Sequence, residues 1–390
     1  MPPSDVVIIG GGVIGSAAAY FLRRIDPALA VTVVERDPTY ARASSSLSGS
    51  AIRQQFSTPA NIAISQFGIA FLRDVDTHLG VDAETVGLGL CEPGYLYLAS
   101  DAGGAVLEAN HAVQRACGVQ VALLDPAALR ERFPWLVADD LSAGSLGLDG
   151  EGWFDGPGLM QAFRRKARAL GATYVHGEAV GLERDGARVA AVRLADGARL
   201  SCGVVVNAAG PYARAVAAMA GIALPVEARS RSVFVLQCPD ALPGCPLVID
   251  TSGVWFRPEG TGFLCGLSPP EAQDPERFEL AVDHALFEDT IWPALAARVP
   301  AFERLRVTGS WAGHYEYNTF DHNALLGPHP DAPNLLFANG FSGHGMQQSP
   351  GVGRGIAELI AHGAYRSLDL SALAVTRLAE GRRVLERCVI

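Results

Sequence analysis

Three glycines and one acidic residue near the start of the chain have the spacing of a nucleotide-binding motif. Gly10, Gly12 and Gly15 form the pattern GxGxxG between an apolar run and a helical stretch, and Glu35 ends the next apolar run. Gly10 permits a tight turn, Gly12 lets the backbone approach a pyrophosphate, and Gly15 lets helix pack on strand. Glu35 accepts hydrogen bonds from ribose hydroxyls. The pattern predicts dinucleotide binding and leaves NAD and FAD both open.

A second glycine-rich loop runs into a helix near the other end of the chain, over residues 340–359. A flavin ring that accepts a hydride gains negative charge at one end, and a helix amino terminus aimed there stabilises that charge. The glycines let the backbone pass close to a ring, and Pro350 suits the first turn of a helix. The alternative is a glycine-rich connection with a purely structural role.

Composition and charge argue against several other classes of protein. The chain has 390 residues, 49% of them hydrophobic, and a net charge of −10, which describes a soluble globular protein and argues against a nucleic-acid partner. Seven cysteines lack CxxC spacing, and His314, His322 and His329 match no common ligand pattern, so neither disulfides nor a metal site are expected. No stretch approaches ~18 uninterrupted apolar residues, so no membrane span is expected. Without a signal peptide, we expect a cytoplasmic protein.

The elements that must position the two loops follow from the hydrophobic pattern. The first 36 residues have the pattern of a β-α-β unit. The Asp-Gly pairs at 185–186 and 196–197 predict hairpin turns between short strands. Residues 225–320 are expected to form a mostly β sheet with one helix near 279–297.

Two further helices are predicted before residue 135. One spans about Pro59 to Leu79, and the other follows Asp125 and Pro126, which have the residue types of an N-cap and a first helical position. A chain of this length exceeds one ordinary core, so two packed domains are expected.

The chain resembles the D-amino-acid oxidase type family of FAD-dependent amine oxidoreductases in both glycine-rich loops, in Glu35 and in the run VVVNAAG at 204–210. Within the family, the chain is similar to monomeric sarcosine oxidase, dimethylglycine dehydrogenase and a flavoprotein that assists complex I assembly. The resemblance implies an α/β fold in which a Rossmann-like FAD-binding domain, of the glutathione-reductase type, is interleaved with an α+β substrate domain built on a mostly antiparallel sheet. We assign residues 1–82, 151–220 and 322–390 to the first domain, and residues 83–150 and 221–321 to the second.

The resemblance also implies which residues hold FAD. The first loop would bind the pyrophosphate, and the end of the second strand would bind the ribose and adenine. A serine loop would cross the pyrophosphate, and the last loop would line the flavin. The residues assigned to the cofactor are Gly10, Gly12, Val13, Ile14, Gly15, Glu35, Arg36, Ser44, Ser45, Ser46, Ala51, Val180, Ala208, Ala209, Gly210, Gly340, Gly343, His344, Gly345, Met346 and Gln347.

Five residues are predicted to act on the substrate. Arg53 matches the arginine that binds the substrate carboxylate in sarcosine oxidase. The alternative is that Arg53 pairs with a local acidic residue. Gln347 stands where that relative has a second, cationic ligand, which weakens the case for a small amino acid such as sarcosine and allows a larger or less anionic substrate. His314, Tyr315 and Tyr317 would pack over the flavin and substrate and keep the amine neutral.

Two absences in the sequence shape the expected chemistry. The region 311–323, where sarcosine oxidase carries its flavin-bonded cysteine, has no cysteine, so noncovalent FAD is predicted, with His314 as the residue that could still bond the flavin. Lys166 is the only lysine and lies on a predicted helix, whereas sarcosine-type oxidases use a lysine to activate O2. A quinone or a carrier flavoprotein is therefore favoured as the electron acceptor.

The expected function is FAD-dependent oxidation of the C–N bond of a secondary amine or amino acid, of the N-methyl or D-amino acid class, by hydride transfer to flavin N5. An amine oxidase that uses O2 directly stays an alternative. A flavoprotein that serves mainly as an assembly or interaction factor is an alternative from another class, and a nicotinamide dehydrogenase is a third.

Overall fold

The computed structural model describes residues 4–82 and 84–388, in which helices pack against two large β-sheets. The strands in chain order are β1 (Ser4–Ile9), β2 (Val31–Glu35), β3 (Ala51–Ile52), β4 (Tyr95–Ala99), β5 (Val121–Leu124), β6 (Ala143–Gly147), β7 (Gly152–Trp153), β8 (Thr173–His176), β9 (Ala179–Asp185), β10 (Arg188–Leu194), β11 (Arg199–Asn207), β12 (Val226–Gln237), β13 (Leu247–Ile249), β14 (Val254–Glu259), β15 (Gly262–Leu267), β16 (Arg306–Asn318), β17 (Leu325–His329) and β18 (Ala332–Asn339). The helices are α1 (Val13–Ile25), α2 (Pro59–Arg73), α3 (Val75–Leu79), α4 (Asp101–Ala116), α5 (Pro126–Arg132), α6 (Gly156–Ala169), α7 (Ala213–Ala218), α8 (His284–Leu286), α9 (Trp292–Arg298) and α10 (Gly345–His362).

The first sheet has the strand order β17-β18-β11-β1-β2-β8, with β9 and β10 attached beside β11. Its five strands from β18 to β8 run parallel, and β17 closes one edge in the antiparallel direction. The predicted hairpin turns are confirmed, since Gly186 and Gly197 adopt φ of +57° and +88° between β9, β10 and β11. The predicted β-α-β unit is β1-α1-β2.

Small side chains on α1 set the distance between this sheet and the helices that cover it. Ser16, Ala17 and Ala18 are fully buried, and a Cβ atom added to Gly353 of α10 would lie 2.6 Å from the Cβ of Ala17. The two helices therefore cross in close contact, and helices α2 and α6 pack around the pair. This packing fixes the amino ends of α1 and α10 relative to each other.

The second sheet has the order β16-β12-β15-β14-β13-β4-β6-β5 and is antiparallel except for the pair β13-β4. Its core contains Phe234, Phe256, Leu295 and Phe302 on one face. The α/β fold class, with a parallel sheet beside a mostly antiparallel one, is thereby confirmed. No helix within the described ranges has both the length and the apolar composition needed to cross a membrane.

Two predicted helices differ from the structure. The helix expected over 59–79 is interrupted at Asp74, whose φ of −115° and ψ of 28° leave the helical region between α2 and α3. The helix expected over 279–297 begins at His284 because Asp283 caps it, and its middle turn is a wide π turn at Phe287–Ile291. Pro293 follows that turn and has no N–H to offer the carbonyl four residues earlier.

The helix start at Asp125 was predicted correctly. The Asp125 carboxylate accepts a hydrogen bond of 2.8 Å from the Ala128 N–H, and Pro126 is the first residue of α5. The division of the chain into two domains stays a prediction.

Candidate cofactor cavity and active site

One cavity of about 860 Å³ joins the two glycine-rich loops. Residues from the β1-α1 loop, the end of β2, the serine loop and the end of β11 line one part of it. Residues from β12, β16 and the start of α10 line the other part. The two loops that the sequence separates by more than 300 residues therefore open into the same space.

The β1-α1 loop has the geometry that the glycine pattern predicts. Gly10 has φ of +104°, and a Cβ there would lie 2.2 Å from the carbonyl oxygen of Ala208. A Cβ on Gly15 would lie 1.9 Å from the carbonyl oxygen of Gly10, so Gly15 permits the helix to pack on the loop. Gly12, Val13 and Ile14 line the cavity at the amino end of α1, where helix N–H groups favour an anion.

Serine side chains cover the same helix end. The Ser45 hydroxyl accepts a hydrogen bond of 3.0 Å from the Val13 N–H, and the hydroxyl of Ser44 is buried without a partner among the described residues. A buried hydroxyl that faces a cavity requires a hydrogen-bond partner. These hydroxyl groups, beside the amino end of α1, fit the pyrophosphate of a dinucleotide.

The Glu35 carboxylate is held at the end of β2. It accepts hydrogen bonds of 2.8 Å from the N–H of Gly11 and of 2.8 Å from the N–H of Asp37. Arg36 lies over the ring of Tyr212, with its guanidinium carbon 3.5 Å from the ring centre. This flat pair at the cavity rim suits an adenine ring, and Tyr212 was not predicted from the sequence.

The last loop leads directly into α10, which begins at Gly345 rather than near Pro350. Pro350 lies inside the helix, so its placement in the first turn was wrong. Because a proline has no N–H, the carbonyl of Met346 lacks its usual helical donor, and the Ser349 hydroxyl donates to it at 2.9 Å. The first turn, at Gly345, Met346 and Gln347, lines the cavity, and its backbone N–H groups have no acceptor within the helix.

Gly343 brings the loop against an aromatic ring. Its φ is +96°, and a Cβ there would lie 2.4 Å from the Tyr315 ring. Only glycine accommodates both the backbone angle and the contact. The loop, Tyr315 and the amino end of α10 thus form one wall.

Arg53 is 1% exposed and lines the cavity beside this wall. Its Nη1 donates to the carbonyl of Gln55 at 2.6 Å, and its Nη2 bonds to Nε2 of His344 at 2.9 Å and to the carbonyl of Cys388. Burial and the Arg53 charge hold the pKa of His344 well below its usual range, so the imidazole is neutral and Nε2 accepts. Among the described residues, the partners of the guanidinium are all neutral, and the Glu386 carboxylate acts on Arg53 only through its charge, without a salt bridge.

Gln347 connects this arginine to α10. Its Oε1 accepts a hydrogen bond of 2.9 Å from the backbone N–H of Arg53. The amide oxygen therefore orients the strand end that carries the guanidinium, and the amide NH2 is left to face the cavity.

Three consecutive residues of β16 line the cavity: His314, Tyr315 and Glu316. His314 is 4% exposed with no hydrogen-bond partner for either ring nitrogen in the described part of the chain, and burial lowers its pKa. Glu316 accepts a hydrogen bond of 3.2 Å from the Gly340 N–H, and burial raises its pKa to about 8. The predicted site residue Tyr317 lies outside the lining and packs against His322 at 5.1 Å between ring centres.

Four predicted cofactor residues also lie outside the cavity lining. Gly15 packs helix on loop, and Ser46 lies in the turn behind Ser45. Gly340 forms a turn at φ of +75° against Asn318. Val180 is 47% exposed on β9, and Glu178 lines the cavity instead. The other predicted residues line the cavity: Gly10, Gly12, Val13, Ile14, Glu35, Arg36, Ser44, Ser45, Ala51, Arg53, Ala208, Ala209, Gly210, His314, Tyr315, Gly343, His344, Gly345, Met346 and Gln347.

Sequence reasoning missed the second sheet's contribution. Tyr95, Leu247 and Trp255 form an apolar wall close to Arg53. Arg231 also lines the cavity, but its guanidinium binds Asp274 in a bidentate pair at 2.7 and 2.6 Å. The cavity therefore has two buried arginines, one neutralised by a carboxylate and one held only by neutral groups.

A protein family, several relatives and solved structures match most of this chain. A family model described as DAO, FAD dependent oxidoreductase, matches residues 5–359. The chain is 44% identical over 429 residues to FAD-dependent oxidoreductase domain-containing protein 1 of Xenopus laevis, covering 100% of this chain and 86% of the relative. It is 27% identical over 375 residues to mitochondrial sarcosine dehydrogenase of Homo sapiens, covering 92% of this chain and 40% of that protein. The crystal structure of L-proline dehydrogenase from P. horikoshii matches with a TM-score of 0.86 at 26% identity, covering 98% of this chain and 100% of that one.

Proposed function

The chain belongs to the DAO family of FAD-dependent oxidoreductases, and on that premise we propose that it oxidises the C–N bond of a secondary amine or amino acid that carries a carboxylate. FAD is its cofactor, and the residues at the two loops fit it. The finer proposal concerns the substrate and the residues that hold it.

Arg53 carries the proposal. A buried guanidinium held by two backbone carbonyls and a neutral imidazole keeps its positive charge with no carboxylate hydrogen-bonded to it among the described residues, although the charges of Glu386 and Glu151 act on it from further away. A buried cation is costly unless an anion pairs with it. A substrate carboxylate supplies that anion, and the planar guanidinium matches it in shape.

The surroundings of Arg53 favour a neutral amine. The side chains of Tyr95, Trp255 and Tyr315 exclude water from this part of the cavity, and burial raises the pKa of Tyr95 and Tyr315, so their hydroxyls stay protonated. Low solvation and the nearby guanidinium charge both disfavour an ammonium group. The bound amine therefore keeps its lone pair.

FAD held at the two loops would supply the hydride acceptor for the carbon next to that nitrogen, and water would convert the imine product to a carbonyl compound and an amine. The first turn of α10 presents the N–H groups of Gly345 and Met346 toward the cavity, where they stabilise developing negative charge. His314 stays neutral beside the cavity because burial lowers its pKa.

We propose that this FAD is bound noncovalently and that a quinone or a carrier flavoprotein receives the electrons. Lys166, the only lysine of the chain, donates from Nζ to the carbonyl of Gly80 at 2.6 Å and does not line the cavity. A lysine that activates O2, as in sarcosine-type oxidases, is therefore missing. The secondary-amine class is supported by the names of two similar proteins, sarcosine dehydrogenase and L-proline dehydrogenase.

The test is a screen of the purified yellow protein in the absence of O2. N-methyl amino acids, proline and D-amino acids are mixed with it singly, and bleaching of the visible flavin band reports hydride transfer. We expect bleaching by at least one carboxylate-bearing amine, faster than by its decarboxylated analogue. Bleaching only by amines without a carboxylate would contradict the role of Arg53.

A further inference from the structure

The last described residues of the chain form a strap that reaches Arg53, a residue of the cavity lining. We call residues 384–388 the C-terminal strap. Its Val384 N–H donates to the Asp321 carboxylate at 3.0 Å, and its Val384 carbonyl accepts from the Asn323 amide at 2.5 Å. The Glu386 N–H donates to the carbonyl of Asp321 at 3.2 Å. The start of the strap is therefore fixed to the segment that follows β16.

Glu386 anchors the middle of the strap to the amino end of α2. The side chain is 1% exposed, and its carboxylate accepts hydrogen bonds from the N–H of Ser57 at 2.9 Å, the Ser57 hydroxyl at 2.6 Å, the Thr58 hydroxyl at 3.0 Å and the Asn61 amide at 2.9 Å. An anion at a helix amino terminus is also favoured by the helix dipole. This anchor brings the next carbonyls of the chain onto Arg53.

The strap occupies the donor of Arg53 that a carboxylate requires. A guanidinium binds a carboxylate through two parallel N–H groups, either Nη1 with Nη2 or Nε with Nη2, so Nη2 belongs to both pairs. Nη2 has two hydrogens, and its two partners here are His344 Nε2 and the Cys388 carbonyl. A carboxylate that binds in a bidentate pair must therefore displace one of them.

Of the two partners, the strap carbonyl is the easier to displace. His344 is buried at the start of α10, with its ring edge-on to Phe56 at 5.0 Å between centres. Past Glu386, the strap belongs to no helix or strand. It is held by hydrogen bonds from Arg387 N–H to the Ser57 hydroxyl at 2.9 Å, from Cys388 N–H to the Glu386 carboxylate at 3.0 Å and from the Asn110 amide to the Cys388 thiol at 3.3 Å.

We propose that the C-terminal strap selects the substrate: the Cys388 carbonyl competes for Nη2 of Arg53, and an anionic carboxylate displaces it while a neutral group does not. This inference rests on the proposed role of Arg53 in binding the substrate carboxylate. A hydrogen bond to an ionised acceptor is about twice as strong as one between neutral groups, so the carboxylate wins the exchange. Amides and esters of the same shape do not.

Two truncated chains of the FAD-loaded protein test the competition with opposite expected signs. A chain that ends at Glu386 keeps the anchor and loses the Cys388 carbonyl. A chain that ends at Cys388 converts that carbonyl into a carboxylate at the same place, which competes more strongly. The probe is benzoate, which has a carboxylate and no amine to oxidise, and its affinity is measured by titration calorimetry and by the shift of the flavin spectrum.

We expect the chain ending at Glu386 to bind benzoate roughly tenfold more tightly than the full chain, and the chain ending at Cys388 to bind it several-fold more weakly. Benzamide, the neutral control, should bind all three proteins equally. Equal benzoate affinity in all three proteins, or a change of the same sign in both truncations, would overturn the proposal. If the chain ending at Glu386 fails to retain FAD, the chain ending at Cys388 decides alone, since unchanged or tighter binding contradicts the competition.

The benzoate titration separates this inference from the proposed function. It requires no turnover, so opposite effects of the two truncations would support the strap even if no amine reduced the flavin. If the protein oxidises a carboxylate-bearing amine but both truncated chains bind benzoate as the full chain does, the proposed function is supported and the proposed role of the strap is wrong.

Discussion

Replacement of Arg53 by lysine tests how the substrate is held while keeping the positive charge. The guanidinium makes three hydrogen bonds, to Gln55, His344 and Cys388, and lies 4.0 Å from the centre of the Phe56 ring. Lysine offers one point charge in place of two parallel donors, so a bound carboxylate loses one charge-assisted hydrogen bond. That loss is worth about 1.5–3 kcal/mol, because hydrogen bonds to charged groups fall in this range.

Converted into rate, this is a decrease of roughly 10- to 100-fold in kcat/KM, since 1.4 kcal/mol corresponds to about tenfold. The assay is the rate of flavin bleaching without O2, measured with a carboxylate-bearing amine and with its decarboxylated analogue. We expect Arg53→Lys to slow the first reaction by that factor and to change the second by less than about threefold.

The matched control is Arg231→Lys. Arg231 lines the same cavity and is 7% exposed, but its guanidinium is already paired with Asp274. Its replacement should affect both amines equally. Equal losses for both amines in the Arg53 variant would refute the reasoning, because the arginine would then support the structure and not the carboxylate.

Two further predictions concern the cavity wall and its ionisation. Gly343→Ala forces a Cβ to within 2.4 Å of the Tyr315 ring at a φ of +96°. We therefore expect a loss of about 2–3 kcal/mol in unfolding free energy and reduced FAD content. The control, Gly186→Ala in an open hairpin turn, should lower the unfolding free energy by about 1 kcal/mol and leave FAD content unchanged. Urea unfolding and the ratio of visible to protein absorbance measure both, and full FAD content in the Gly343 variant would contradict the assigned contact. Glu316 has a folded-state pKa raised to about 8 by burial, above the ordinary value of 4.5, so the folded protein holds a proton that the unfolded chain releases. Stability should therefore fall as pH rises from about 5 to 8, by at most about 4 kcal/mol from this group, and Glu316→Gln should flatten that part of the profile of urea unfolding against pH. An unchanged slope in the variant would show that Glu316 is ionised in the folded state.

The parts of the fold that local chemistry determines could be predicted from the sequence. The β1-α1 loop was predictable because only glycine permits a φ of +104° at Gly10 together with the contacts at Gly15. The hairpins at Gly186 and Gly197 and the helix start at Asp125 depend on neighbouring residues alone.

Features that depend on distant parts of the chain could not be predicted in this way. The start of α10 was placed too late because its glycines suggest a loop, whereas packing of Gly353 on Ala17 keeps the segment helical and Ser349 compensates for Pro350. Glu386 binds residues 325 to 329 positions away, and no local pattern indicates that contact.

The apolar wall of the candidate site was missed for the same reason. Tyr95 belongs to β4, whose neighbours in the sheet, β6 and β13, come from separate parts of the sequence, whereas Trp255 lies on β14 between its sequence neighbours β13 and β15. Their types predict burial, and only the pairing of β13 with β4 joins the two strands into one wall, in which the Tyr95 ring centre lies 5.9 Å from the Arg53 guanidinium.

The most direct test of the central claim is reduction of the enzyme's own flavin by carboxylate-bearing amines in the absence of O2. The account predicts that an N-methyl amino acid, a cyclic secondary amino acid or a D-amino acid bleaches the visible flavin band, and that the matching amine without a carboxylate does so much more slowly. A flavin that no member of this panel bleaches, although dithionite reduces it, would contradict the claim that this protein oxidises a carboxylate-bearing amine.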